Sequence, residues 1–258
     1  MNIGFIGAGN MGGALINGLL STKKYNVFVY DLNKEKLKFF SDNGALLVDS
    51  IDELAKTSDL IIITVKPNIY PSVLTKLSEL NYNKKLISVA PGLSLDYLSA
   101  TLPKAQIIRT MPNTPAMVSE GMTLVVDIDN KEFLNEVVSL LECVGKVSVL
   151  PESLIDAGTA LSGSSPAMVY RLIDAMANGA VAYGINKQEA IKIAAQAVLG
   201  SAKMVLESDI HPIQLSDAVC SPGGTTIEMV NELGKLGFGN TVISAMDRCI
   251  EKSLKMKK

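Results

Sequence analysis

The N-terminal residues constrain the fold most, because a strand-length run is followed at once by a glycine-rich turn and an amphipathic segment. The mostly apolar run from Asn2 to Ile6 has the length of a β-strand. Met11, Leu15 and Leu19 then recur as on one face of a helix. Between the two segments lies Gly7-Ala8-Gly9-Asn10-Met11-Gly12. A Gly-x-Gly-x-x-Gly motif between a strand and a helix is the dinucleotide-binding fingerprint, so these six residues are predicted to bind a nicotinamide cofactor.

The three glycines of this motif have different expected roles. Gly7 would make the tight turn, Gly9 would let a pyrophosphate approach the backbone, and Gly12 would let the helix pack closely on the strand. The alternative is a structural turn that binds nothing.

Asp31 is the candidate for selecting between NADH and NADPH. It ends the next strand, Val27 to Tyr30, about 20 residues beyond the motif, where a ribose-binding acid is expected. A carboxylate there accepts hydrogen bonds from ribose hydroxyls and repels a 2′-phosphate, which favours NADH over NADPH. Lys34 and Lys36 could still receive a phosphate, and Asp31 could simply begin the turn into a helix capped by Asn33.

Strand and helix signals alternate as far as residue 150. Further strands are predicted at 45–48, 60–65, 86–89, 107–110, 123–126 and 146–149. The run from Leu60 to Val65 is apolar without alternation, as in the buried strands of parallel sheets. The pattern predicts an α/β fold with an N-terminal Rossmann-like, doubly wound sheet over residues 1–150.

Ligands of such sheets bind at the carboxyl ends of the strands. Val65, Lys66 and Pro67 follow the predicted central strand, so we expect them to border the cofactor. Asn113 lies in a loop stiffened by two prolines after a later strand, and it is predicted to lie near the nicotinamide.

The strand signal disappears after Pro151, so residues 151–258 are predicted to form an all-helical domain for substrate binding and dimerisation. Helix is expected from Ser153 to Gly184 with an interruption at 163–166, and again after Asn186. The second helix is apolar nearly all round. Since a helical segment of about a hundred residues has limited means to cover such a helix alone, a second copy is expected to cover it in an intertwined homodimer. A self-contained bundle is the alternative, and a higher oligomer of dimers is left open.

A second glycine-rich turn lies in the helical half. The segment Cys220-Ser221-Pro222-Gly223-Gly224-Thr225-Thr226 precedes an amphipathic helix. Amides at the start of that helix, together with the Thr225 and Thr226 hydroxyls, could hold a small anion such as a carboxylate. The alternative is an ordinary capped turn between helices.

Composition excludes several classes of protein. A net charge of −2 and the absence of tryptophan argue against a nucleic-acid partner. Charged residues interrupt the longest apolar stretch, which argues against a membrane span. The three cysteines, Cys143, Cys220 and Cys249, are far apart, which argues against a metal site and favours a cytoplasmic protein with reduced thiols.

Five motifs together resemble the pyrroline-5-carboxylate reductase family almost end to end. They are the fingerprint at 7–12, Val65-Lys66-Pro67, Met111-Pro112-Asn113-Thr114-Pro115, Ser162-Gly163-Ser164-Ser165-Pro166-Ala167, and the turn at 220–226. The last is close to the family's signature. Ser165 departs from the family, which usually has glycine there, and Asp31 departs from members that favour NADPH.

The resemblance implies hydride transfer to the C=N carbon of 1-pyrroline-5-carboxylate, which gives L-proline in the last step of its biosynthesis. Amides of Gly223, Gly224 and Thr225 would hold the substrate carboxylate. Thr226 would orient the ring nitrogen and donate a proton, and Ser221 would support it.

Two other functions fit part of the pattern. A β-hydroxyacid dehydrogenase would need a catalytic lysine in the long helix, where this chain has Arg171 and places Lys187 only after Gly184. A non-catalytic sensor of nicotinamide cofactors would have no need for the turn from Ser221 to Thr226.

Overall fold

The chain, described over residues 1–256 by a computed structural model, forms two compact units. The first contains Met1–Pro166 and is completed by C-terminal residues from Cys249 onward. The second is Ala167–Arg248. The first unit therefore extends beyond the boundary expected at residue 150, since Ile155 is fully buried beside Leu124 and Val126.

A single sheet organises the described part of the first unit. Its strands are β1 Asn2–Ile6, β2 Asn26–Tyr30, β3 Leu46–Leu47, β4 Leu60–Ile63, β5 Lys85–Ser88, β6 Gln106–Met111, β7 Gly121–Val126 and β8 Gly145–Leu150. Their order is β3-β2-β1-β4-β5-β6-β7-β8. In this order, the six strands from β3 to β6 each run parallel to their neighbours among them. Strand β7 runs antiparallel to β6. The link between β6 and β7 contains only a short 3₁₀ turn, Thr114–Val118, which is too short for a helical crossover.

Helices cover both faces of this sheet. They are α1 Asn10–Thr22, α2 Lys34–Asp42, α3 Ile51–Thr57, α4 Tyr70–Glu79, α5 Leu95–Thr101 and α6 Lys131–Leu141. One apolar core contains residues of α1, α2 and α6, and the other contains residues of α3, α4 and α5. All four residues of β4 are inaccessible to solvent, as its uninterrupted apolar sequence predicts. The doubly wound sheet predicted for the N-terminal half is confirmed.

The C-terminal half is helical, as predicted. Its elements are α7 Ile155–Gly158, a π-helical turn Thr159–Ser164, α8 Ser165–Val181, α9 Lys187–Glu207, α10 Pro212–Val219, α11 Thr225–Lys235 and α12 Phe238–Met256. The interruption expected at 163–166 takes the form of the π turn. Pro166 has no N–H to give the Ser162 carbonyl, and the Asn113 side-chain amide donates to that oxygen instead, at 3.0 Å.

The end of α12 belongs to the first unit. There the Ser253 hydroxyl donates to the buried carboxylate of Asp156 at 2.6 Å. This bond joins residues 97 positions apart in the sequence.

Candidate active site

The main cleft of the first unit lies at the topological switch point, where β1 has β2 on one side and β4 on the other. Its volume is about 500 Å³. Residues at the carboxyl ends of these three strands line it, including Gly7, Gly9, Asp31, Val65 and Lys66. This is where ligands of doubly wound sheets bind.

The three glycines of the fingerprint differ in what surrounds them. Gly7 has a φ of +103°, and a Cβ there would lie 3.0 Å from Val65 Cγ1. A Cβ at Gly12 would lie 2.4 Å from the Gly7 carbonyl oxygen. A Cβ at Gly9 would have no atom of the described residues within 4 Å. Packing within the chain thus explains Gly7 and Gly12, whereas the space at Gly9 is open to a ligand.

The rest of the motif forms the start of α1. Gly9 is the N-cap and makes no side-chain capping bond, so the first amides of α1, from Asn10 onward, have no acceptor within the helix. Ala8 and Asn10 line a neighbouring cavity of about 310 Å³ that also includes Gly9. The Met11 side chain packs against the core. The helix end can therefore hold a phosphate group.

Both carboxylate oxygens of Asp31 accept hydrogen bonds from backbone amides. Oδ2 accepts from the Ala8 N–H at 2.6 Å, and Oδ1 accepts from the Asn33 N–H at 2.8 Å. Asn33 caps α2 as expected, accepting from the amides of Glu35 and Lys36. Each carboxylate oxygen keeps a second lone pair that can accept another hydrogen bond.

The other residues predicted to bind the cofactor lie in different surroundings. Val65 and Lys66 line the cleft, whereas the Pro67 carbonyl accepts from the Tyr70 N–H at the start of α4. Asn113 is buried, and its side chain bonds two backbone groups: Nδ2 donates to the Ser162 carbonyl and Oδ1 accepts from the Met122 N–H at 2.9 Å. These bonds give Asn113 a structural role, and its contact with a cofactor stays a prediction.

Thr64 is a cleft residue that the motifs did not single out. Its hydroxyl donates to the Gly7 carbonyl at 2.7 Å. A polar residue directly after the buried apolar strand β4 was the sequence signal available for it.

In the second unit, the glycine-rich turn leads directly into α11. Gly223 has a φ of +69°, and the Gly224 N–H donates to the Ser221 carbonyl at 3.0 Å. Proline followed by a glycine with positive φ is the pattern of a type II turn. A Cβ at Gly224 would lie 2.3 Å from Ser221 Oγ, so only glycine fits there without movement of Ser221.

The donors for an anion at this turn differ in part from those expected. The amide of Gly224 is used within the turn, whereas the amides of Thr225 and Thr226 belong to the first turn of α11 and have no intrahelical acceptor. Among residues 1–256, the Thr225 and Thr226 hydroxyls have no hydrogen-bond partner. The N-terminus of α11 thus presents two amides and two hydroxyls.

Comparison with known proteins places the chain in a family. The family described as pyrroline-5-carboxylate reductase dimerisation matches residues 152–256, and that described as NADP oxidoreductase coenzyme F420-dependent matches residues 2–92. The pyrroline-5-carboxylate reductase of Escherichia coli is 44% identical over 99% of this chain and 98% of its own length. The chain belongs to the pyrroline-5-carboxylate reductase family.

Solved structures of two reductases agree with this assignment. The enzyme from Coxiella burnetii superposes with a TM-score of 0.93 at 31% identity, covering 100% of this chain and 98% of its own. The enzyme from Plasmodium falciparum, solved with NADP bound, gives a TM-score of 0.89 at 31% identity with the same coverage. The fold predicted from the resemblance is confirmed, and a nicotinamide cofactor is the ligand class that the family implies.

The helical unit of this reductase has almost no core of its own. Within Ala167–Arg248 the buried residues are Ala177, Ala190 and Ala194. Large apolar side chains of α9 are exposed instead, among them Ile193 at 54% and Leu199 at 57%. An apolar surface of this kind marks an interface.

Two polar side chains of the helical unit, Lys187 and His211, have structural roles. Lys187 donates to Asp174 and Asn178, each at 2.6 Å, and this bond holds the pKa of the Asp174 carboxyl below its usual value. His211 caps α10, with Nδ1 accepting from the Ile213 N–H. Across residues 1–256, there is no cluster of side chains suited to a metal ion and no helix long and apolar enough to cross a membrane.

Proposed function

We propose that this chain reduces 1-pyrroline-5-carboxylate to L-proline, the last step of proline biosynthesis, with a reduced nicotinamide cofactor. The observation that carries the proposal is the α11 N-terminus, where Thr225 and Thr226, the last two residues of the family's most specific motif, present two amides and two hydroxyls without partners. A cyclic imine with a single carboxylate fits such a site, because a helix N-terminus binds anions.

The fingerprint and the cleft beside it support the binding of a nicotinamide cofactor. The open space at Gly9 and the first amides of α1 suit a pyrophosphate, and Val65 and Lys66 border the same cleft. When bound, the nicotinamide would supply the hydride that reduces the imine carbon. We place the cofactor-binding residues in 1–150 and the substrate-binding and dimerising residues in 151–258.

Residues of the turn at 220–226 would align and protonate the substrate. The Thr225 and Thr226 amides, with that of Gly223, hold the carboxylate, and Gly224 keeps the turn in the shape that exposes them. The Thr226 hydroxyl hydrogen-bonds the ring nitrogen, which becomes more basic as the carbon is reduced, and it donates the proton. Ser221 supports the turn through its carbonyl. Alignment of the imine with the cofactor supplies most of the rate.

NADH is the proposed preferred cofactor. Asp31 keeps free lone pairs for ribose hydroxyls, and its charge disfavours a 2′-phosphate. A lysine near the ribose would instead attract the 2′-phosphate of NADPH. Lys36 lines the cleft and opposes the preference for NADH in this way, whereas Lys34 is paired with Asp49 at 3.7 Å.

We further propose an intertwined homodimer in the cytoplasm. The exposed apolar side chains of α9 support the dimer, and free thiols at all three cysteines fit a reducing compartment. Ile193→Glu should yield monomer in sedimentation velocity, whereas Leu46→Glu, at an exposed leucine of the first unit, should stay dimeric. Dimers of unchanged stability with Ile193→Glu would refute this interface.

Turnover of the pure protein tests the catalytic proposal. We expect oxidation of NADH by 1-pyrroline-5-carboxylate with formation of proline. Thr226→Ala should lower kcat by about a hundredfold, which is the low end of what a positioned proton donor contributes. Thr241→Ala is the matched control, because that hydroxyl bonds only the Gly237 carbonyl, directly before α12. A folded wild-type protein that binds a cofactor but reduces no imine would contradict the proposal and favour a sensor.

A further inference from the structure

One peptide unit of the glycine-rich loop is hydrogen-bonded at both of its polar ends. Its carbonyl, on Gly7, accepts from the Thr64 hydroxyl at 2.7 Å. Its N–H, on Ala8, donates to Asp31 Oδ2 at 2.6 Å. Thr64 directly follows β4 and Asp31 directly follows β2, so the two partners reach the peptide from the two strands that flank β1.

Gly7 by itself does little to hold this peptide. Glycine has the widest choice of backbone angles, so no side chain restricts the Gly7 ψ angle, which orients the peptide that follows. The two hydrogen bonds hold that orientation, because a rotated peptide would lose both. Each partner is itself held: the Thr64 N–H donates to the Ile6 carbonyl at 2.9 Å, and Asp31 Oδ1 accepts from the Asn33 N–H.

Gly12 provides the space for this arrangement. A Cβ at Gly12 would lie 2.4 Å from the Gly7 carbonyl oxygen and 2.5 Å from Thr64 Oγ1, which are the two atoms of the first hydrogen bond. The third glycine of the fingerprint therefore accommodates the Thr64–Gly7 bond as well as the contact between helix and strand.

We propose that Thr64 and Asp31 are positioning residues that clamp the Gly7–Ala8 peptide, and that this clamp keeps Gly9 and the α1 N-terminus in the orientation that binds the cofactor pyrophosphate. The inference rests on the proposed placement of the cofactor in this cleft. It gives Asp31 a second task besides selection at the ribose, and it makes Thr64 a determinant of affinity for NADH and NADPH alike.

Substitutions at Thr64 test the clamp without changing selection at the ribose, because the Thr64 hydroxyl bonds the loop and carries no charge. Thr64→Val keeps the shape of the side chain and removes the donor. We expect the Kd values for NADH and NADPH, measured by cofactor fluorescence, to rise together by about three- to tenfold, as for one lost hydrogen bond. The KM for cofactor should rise likewise, while kcat at saturating cofactor and the KM for the imine stay unchanged.

Two further variants provide the controls. Thr64→Ser keeps the hydroxyl and should restore cofactor affinity. Thr101→Val removes a hydroxyl that bonds only a helix carbonyl, at the end of α5, and should leave affinity unchanged. Unchanged affinity in a folded Thr64→Val protein, or no recovery in Thr64→Ser, would overturn the clamp.

Thr64→Ala keeps the inference testable if Thr64→Val does not fold, because alanine also removes the hydroxyl that donates to the Gly7 carbonyl but places no branched methyl group there. The clamp predicts that this variant again binds NADH and NADPH more weakly, by the same factor for both. Wild-type affinity for both cofactors in a folded Thr64→Ala protein would overturn the clamp. A wild-type protein that binds neither cofactor would refute the proposed function itself, whereas cofactor binding without turnover leaves the test of the clamp intact.

Discussion

Alanine at Gly12 should lower stability, whereas alanine at Gly9 should weaken cofactor binding and leave stability almost unchanged. At Gly12 the added Cβ would lie 2.4 Å from the Gly7 carbonyl oxygen, so the loop or α1 must move by roughly 0.6 Å to reach a separation of 3.0 Å. Overpacking of this kind costs about 1–3 kcal/mol. For a chain of this length that corresponds to a fall in Tm of about 2–12 °C.

Gly9→Ala should leave the fold almost unchanged. Its Cβ meets no described atom within 4 Å, and the φ of −71° is open to alanine. The poorer N-cap costs roughly 0.5 kcal/mol. The methyl group would occupy space assigned to the pyrophosphate, so loss of one or two hydrogen bonds should raise the KM for NADH by about ten- to a hundredfold.

Thermal unfolding followed by circular dichroism and steady-state kinetics at saturating imine measure the two effects. A Gly9→Ala protein with the wild-type KM would refute the assignment of that space to the cofactor. A Gly12→Ala protein with the wild-type Tm would show that the contact at Gly7 relaxes without cost.

Three other properties follow from the structure. Asn113→Ala removes a buried hydrogen bond to the Ser162 carbonyl and leaves the partly buried Met122 N–H without its side-chain partner, so it should lower the free energy of unfolding in urea by about 1–3 kcal/mol; a loss below about 0.5 kcal/mol would contradict this. Burial raises the pKa of the Cys143 thiol to about 11, so at neutral pH a thiol reagent should label it far more slowly than in unfolded protein, and equal rates would contradict the burial. Lys187→Met should return the pKa of Asp174 towards 3.8 in carbon-detected NMR titrations. Because that pKa is lowered in the folded state, its stabilising effect is present above 3.8 and is lost as the pH falls through the lowered value; a pKa unchanged by the substitution would contradict it.

Local patterns were sufficient to predict the sheet. The fingerprint fixed β1 and α1, and the uninterrupted apolar run from Leu60 identified a buried central strand. That strand ends at Ile63, earlier than the sequence suggests, and Thr64 lies just beyond its carboxyl end, where its hydroxyl donates to the Gly7 carbonyl. Periodicity reports which residues are buried, and it does not report side-chain hydrogen bonds such as this one.

Contacts between distant residues were not predictable in the same way. Asn113 bonds Ser162, 49 positions away, and Ser253 bonds Asp156, so the extent of the first unit depends on pairs that no local pattern reveals. The turn at 220–226 was recognisable from its residues. That the Gly224 amide is used inside it depends on the positive φ of Gly223, which only the structure shows.

Transfer of deuterium from the cofactor tests the central claim most directly. The wild-type protein would be incubated with 1-pyrroline-5-carboxylate and NADH in which both hydrogens at C4 of the nicotinamide are replaced by deuterium, and the proline would be analysed by mass spectrometry and NMR. The account predicts proline with one deuterium, on the carbon of the former C=N bond. Unlabelled proline would contradict direct hydride transfer, and the absence of proline from folded, cofactor-bound protein would contradict the reductase function.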